Sequence, residues 1–130
     1  PKWISSMLKG ETVQINGDGK TSRDFCFIDN AVQANILAAT TKRISQSDVY
    51  NIAIGERTSL NDLFSLIQSS LESHGKTYKK SPVYLDFRPG DVRHSLANIT
   101  KVKEQLGYQP THNIISGLKE SMPWYLENIL

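Results

Sequence analysis

Apolar side chains along this sequence recur in two rhythms, every three to four residues or every second residue, and glycines mark many of the changes between them. Trp3, Ile4, Met7 and Leu8 have the helical spacing, and Gly10 closes that short helix. Residues 12–16 alternate with period two and predict a strand. Gly17-Asp18-Gly19 predicts a tight turn, because glycine enters positive φ without a side-chain clash. A second strand is predicted over 25–28, and Asp29 is placed to cap a helix over 31–40. A third strand is predicted over 49–54, ended by Gly55.

Ser59 and Asn61 offer caps for a long amphipathic helix carrying Leu60, Leu63, Phe64, Ile67 and Leu71, which Gly75 ends. Residues 76–80 are polar and basic and read as a solvated loop. An extended stretch over 82–87 leads into the turn Arg88-Pro89-Gly90-Asp91. Two helices follow, over 99–106 and 114–129, with Gly107 ending the first and Pro123 a point of kinking or splitting in the second. The pattern predicts one α/β unit of short strands plus about five helices, without repeats.

Composition narrows the partners. The chain has 130 residues, enough for one core, with 38% hydrophobic and 22% charged residues and a net charge of +2. No Lys/Arg run exceeds a pair, which argues against nucleic acid, and no apolar run reaches the roughly 18 residues of a membrane span. The lone cysteine, Cys26, forms no internal disulfide, which favours a cytoplasmic setting, and it reads as a small buried hydrophobe. His74, His94 and His112 lack metal-ligand spacing, so no metal is expected. Residue 1 is proline with a helix already under way, and reads as a cut point.

The chemistry-bearing residues are sparse. There is no Gly-rich phosphate fingerprint leading from a strand into a helix, since Gly17-Asp18-Gly19 stands between strands. Arg23 and Arg88 stand on separate turns, and two guanidinium forks converging from two loops suit a diphosphate. The competing reading pairs Arg23 with Asp24 or Asp29 and leaves Arg88 on the surface. Asp91 is placed to accept from ribose hydroxyls, and Gln14 and Asn16 share one side of their strand.

The segment from Gly17 through Arg23-Asp24-Phe25 to Asp29 resembles the G-D-G-x-x-x-R-D-[FY] stretch of extended short-chain dehydrogenase/reductases acting on nucleotide sugars. Tyr50-Asn51-Ile52-Ala53-Ile54-Gly55, the Arg88-Pro89-Gly90-Asp91 turn, Asn98-Ile99-Thr100-Lys101 and Leu106-Gly107-Tyr108-Gln109-Pro110 resemble later motifs of that family, in its order. Asn98 departs from the family's usual aspartate. Within the family, Pro1-Lys2-Trp3-Ile4 and the run from Arg88 to Leu96 look most like bacterial UDP-N-acetylhexosamine 4-epimerases of surface-polysaccharide synthesis.

That resemblance implies that residues 1–130 form the C-terminal, nucleotide-sugar-binding domain of a longer enzyme, without its Rossmann NAD domain. It implies Arg23 and Arg88 at the diphosphate, Asp91 at the ribose, Gln14 and Asn16 at the uracil, and Trp3 as an apolar face beside it, unless Trp3 is simply core. Ser95 would wall the hexose pocket and leave room for a 2-acetamido group, or else only cap the next turn. The catalytic Ser/Thr and Tyr-x-x-x-Lys would lie upstream, so no catalytic residue is assigned here and this part alone would be inactive. In the intact enzyme, a homodimer with NAD, a tyrosinate would take the sugar's 4-OH proton while NAD takes the C4 hydride. Hydride would then return to the other face. A nucleotide-sugar 4,6-dehydratase or decarboxylase of the same plan, or a free-standing nucleotide-binding module, are the alternatives. Ile36 and Leu37 would be partly exposed where the other domain packs.

Overall fold

The computed structural model describes residues 1–42 and 47–129. Among the described residues, five helices and four short strands follow in the order α1 (Lys2–Leu8), β1 (Gln14–Asn16), β2 (Ser22–Arg23), α2 (Ile28–Thr40), β3 (Thr58–Ser59), α3 (Leu60–Ser73), β4 (Val83–Leu85), α4 (Thr100–Leu106) and α5 (Ile114–Asn128). β1 lies parallel to β4 with Asn16 opposite Leu85, and β2 lies antiparallel to β3 with Arg23 opposite Thr58. Ile4 and Met7 of α1, Ile15 of β1, Phe64, Ile67 and Leu71 of α3, and Met122 of α5 form the main core. A second core joins Ala34 of α2 to Val102 and Leu106 of α4, with Tyr108 fully buried beside them.

Local chemistry sets the helix ends. Ser59 begins α3 with a capping box: its Oγ accepts from the Asp62 N–H at 3.1 Å and the Asp62 carboxylate reaches back. Asn113 and Ser116 do the same for α5, which runs on through Pro123 to Asn128. Gly107, at φ 71°, ends α4 in the left-handed conformation that favours glycine.

Five expectations are corrected. Residues 25–28 form no strand: β2 stops at Arg23 because its partner β3 is only two residues long. α2 starts at Ile28, with Phe27 at the N-cap, so Asp29 sits in the first turn and faces the helix dipole instead of capping. Residues 49–54 are likewise no strand. The N–H groups of Ile54 and Gly55 donate to the Asp24 carboxylate at 3.1 and 3.0 Å, so a side chain takes the place of a ladder neighbour. The segment is held instead by Tyr50, Ile52 and Ala53 in the second core.

The basic loop at 76–80 is not simply solvated. Tyr78 is buried, and its hydroxyl donates to the Glu11 carbonyl at 2.8 Å and accepts from the Val13 N–H at 3.3 Å. Cys26 is exposed rather than buried, while its neighbours Phe25 and Phe27 are half-buried. Desolvation nevertheless pushes its thiol pKa up, which disfavours a reactive thiolate.

Candidate functional site

One cleft of about 330 Å³ collects residues from four separate stretches: Lys2 and Trp3 of α1, Gln14 and Asn16 of β1, Thr21 and Arg23 around β2, and Leu85, Arg88 and Asp91 at and after β4. Leu60, at the start of α3, completes it. The parallel β1–β4 ladder is what brings them together, since it sets the turn after β4 beside the end of β1.

The side chains stand in one file of contacts. The Trp3 indole N–H donates to the Gln14 carbonyl at 3.2 Å, fixing the ring at one end of the cleft. Gln14 and Asn16 lie on the face of β1 turned from the core, since Ile15 between them is fully buried. With its amide oxygen turned toward Arg88, Asn16 accepts from Nη2 at 2.8 Å and from Nε at 2.9 Å. The opposite orientation would set the amide's donors against those of the guanidinium. Arg88 opens a turn closed by the Asp91 N–H donating to the Arg88 carbonyl at 3.2 Å. Pro89 and Gly90, the latter at φ 75°, supply the central residues such a turn favours. Asp91 Oδ1 then meets Arg23 Nη2 at 2.5 Å, and Arg23 Nη1 donates to the Ser22 carbonyl at 2.8 Å.

Six of the seven residues expected at the site therefore share one cleft. Ser95 is exposed and does not line it; its N–H donates to the Ser22 carbonyl at 3.1 Å, just past the Arg23 end of the file. Arg23 is paired, as one reading of the sequence required, but with Asp91 rather than with Asp24 or Asp29. Lys2, Thr21 and Leu85 line the cleft without having been singled out; only Lys2, adjacent to Trp3, carried a signal that charge alone would give.

The turn behind the cleft is braced. A Cβ at Gly17 would run into the Phe87 ring, and one at Gly19 into the Asn61 amide. Arg93 pairs with Asp18 at 2.6 Å and lies over Phe87, 5.0 Å from the ring centre. The Arg93 hydrogen bond and then the Lys20 N–H hold the Asp18 carboxyl below the usual carboxylate range. The turn thus packs closely against the side chains of Phe87 and Asn61. Among the described residues no group of three or more His, Cys, Asp or Glu is placed to hold a metal, and no helix is long and apolar enough to cross a membrane.

A family model described as GDP-mannose 4,6 dehydratase matches residues 1–121. This chain belongs to that family. The family extends to both dehydratases and epimerases. A dTDP-glucose 4,6-dehydratase of Haemophilus influenzae is 35% identical over 98% of the chain and 39% of its own length. The UDP-glucose 4-epimerase of Thermotoga maritima, solved with UDP-glucose, superposes with a TM-score of 0.88 at 36% identity, over 99% of the chain and 39% of that structure. A UDP-N-acetylglucosamine 4-epimerase of Methanobrevibacter ruminantium, in complex with UDP-N-acetylmuramic acid, matches at 36% identity and TM-score 0.83, over 98% and 38%. A Bacillus cereus UDP-glucuronic acid 4-epimerase solved with UDP-glucuronic acid and NAD matches at 29% identity and TM-score 0.82, over 98% and 39%. The chain thus spans about two fifths of the relatives it matches, and its fold is that of the C-terminal part of extended short-chain dehydrogenase/reductases.

Proposed function

We propose that this chain is the UDP-sugar-binding part of a longer NAD-dependent UDP-N-acetylhexosamine 4-epimerase, which interconverts UDP-N-acetylglucosamine and UDP-N-acetylgalactosamine. The observation that carries the reading is the file from Trp3 to Arg23. It offers an aromatic and amide end for a base and a two-arginine end for a diphosphate. The charged lining residues are Lys2, Arg23, Arg88 and Asp91, an excess of cations suited to the doubly charged diphosphate. Asp91 would share its carboxylate between Arg23 and the ribose hydroxyls. The hexose would extend past Arg23 toward Ser95.

In this reading the chain anchors and does not react. It holds the nucleotide through charged donors and leaves the hexose free to present either face. The NAD that accepts and returns the C4 hydride, and the residues that move the 4-OH proton, belong to the N-terminal dinucleotide-binding domain of the proposed homodimeric enzyme. The Methanobrevibacter UDP-N-acetylglucosamine 4-epimerase and the Thermotoga UDP-glucose 4-epimerase are equally similar at 36% identity, so the preference for acetylated sugars rests on the small side chain of Ser95.

The dehydratase reading has its own support in the family model and in the Haemophilus relative. One assay separates the two. The complete enzyme, incubated with UDP-N-acetylglucosamine, is expected to yield UDP-N-acetylgalactosamine, and a 4-keto-6-deoxy product would select the dehydratase instead. Residues 1–130 alone are expected to turn over nothing and to bind no NAD.

A further inference from the structure

We infer that Asn16 is a positioning residue for Arg88 rather than a reader of the base; the inference rests on the diphosphate-binding reading above. Asn16 ends β1 and Arg88 begins the turn after β4, and the parallel register that pairs Asn16 with Leu85 lets the Arg88 side chain fold back across the ladder. The Asn16 amide oxygen takes both Nε and Nη2, at 2.9 and 2.8 Å, a fork that fixes the plane of the guanidinium as well as its position. Nη1 and the outer hydrogen of Nη2 are left for a ligand.

The two arginines of the cleft differ in what holds them. Arg23 is held by a carboxylate, which offsets its charge, whereas Arg88 is held by a neutral amide, which leaves its charge whole. Asn16 thus orients Arg88 without weakening the attraction it offers to an anion. An aspartate at this position would orient the guanidinium equally well but set a second negative charge facing the diphosphate.

A base reader and an arginine positioner behave differently when Arg88 is already gone. The test is a double-mutant cycle on UDP affinity in the complete enzyme, using wild type, Asn16→Ala, Arg88→Ala and the double variant. Asn16→Ala is expected to weaken UDP about tenfold, the scale of one hydrogen bond to a charged group, and to weaken it no further once Arg88→Ala is present. Uridine inhibition constants should be unchanged by Asn16→Ala. Should the alanine variant fail to fold, Asn16→Ser serves, since its hydroxyl is too short to span both nitrogens. If Asn16→Ala costs the same with and without Arg88, or weakens uridine as much as UDP, the inference is overturned. If Arg88→Ala itself leaves UDP affinity unchanged, it is the diphosphate reading that fails.

Discussion

Asp91 Oδ1 lies 2.5 Å from Arg23 Nη2, so one of the three cations lining the cleft is already matched by a charge of the cleft's own wall. The pair joins β2 to the turn after β4, and both side chains are partly exposed, at 29% and 36%. A pair so exposed contributes little to folding, on the order of 0–1 kcal/mol. Asp91→Ala is therefore expected to move the urea midpoint only slightly while clearly weakening UDP binding. A large loss of stability with binding intact would mean that the pair is structural.

Tyr108 gives the fold an alkaline limit. It is fully buried, its hydroxyl donates to the Ala53 carbonyl at 2.8 Å, and desolvation first, then Cys26 and Asp24, push its pKa up to about 12. The folded value lies above that of the unfolded chain, so the stabilisation is complete below about pH 10 and is lost as pH rises through about 12. Melting temperatures should stay level up to about pH 10 and then fall. Tyr108→Phe should flatten that fall and, by leaving a buried carbonyl unpaired, cost about 1–3 kcal/mol at neutral pH.

Much of this was written in the sequence as local pattern. The helical spacing of Phe64, Ile67 and Leu71 marked α3, and the alternation of Gln14, Ile15 and Asn16 gave the face that lines the cleft. What periodicity did not give was pairing between distant segments. Residues 25–28 and 49–54 are largely apolar runs that read as strands, yet whether such a run joins a ladder depends on a neighbour, and Asp24 takes the N–H groups of Ile54 and Gly55 at the end of the second. The Asn16–Arg88 and Arg23–Asp91 contacts depend on the β1–β4 register for the same reason. Tyr78, within a basic run, is buried because its hydroxyl finds backbone partners more than sixty residues away in the chain.

The outer face of α2 should make the isolated chain associate. Ile28, Val32 and Ile36, one helical turn apart, are exposed at 63%, 47% and 57%, and Leu37 is half-buried against the second core, so Ile36 and Leu37 are both at least partly exposed as expected. Sedimentation is expected to show concentration-dependent association of residues 1–130, relieved by Val32→Lys with Ile36→Lys. A monodisperse wild-type chain at high concentration would argue against an unpartnered face.

Ser95 is the residue on which the proposed sugar preference can be tested. Placed just past Arg23 with its N–H on the Ser22 carbonyl, it carries a small side chain where the hexose would extend. Ser95→Tyr in the complete enzyme should lower kcat/KM for the N-acetylated pair far more than for UDP-glucose and UDP-galactose. Equal losses on both pairs would remove Ser95 from the sugar site.

Arg23 and Arg88 are proposed to hold a nucleotide diphosphate together, and calorimetric titration of UDP into the complete enzyme reads that grip. Arg23→Ala and Arg88→Ala are each expected to cost on the order of 1.5–3 kcal/mol in binding. Lysine at either position should recover only part, because it lacks the planar fork. UDP affinity unchanged in the Arg88→Ala enzyme would contradict the account.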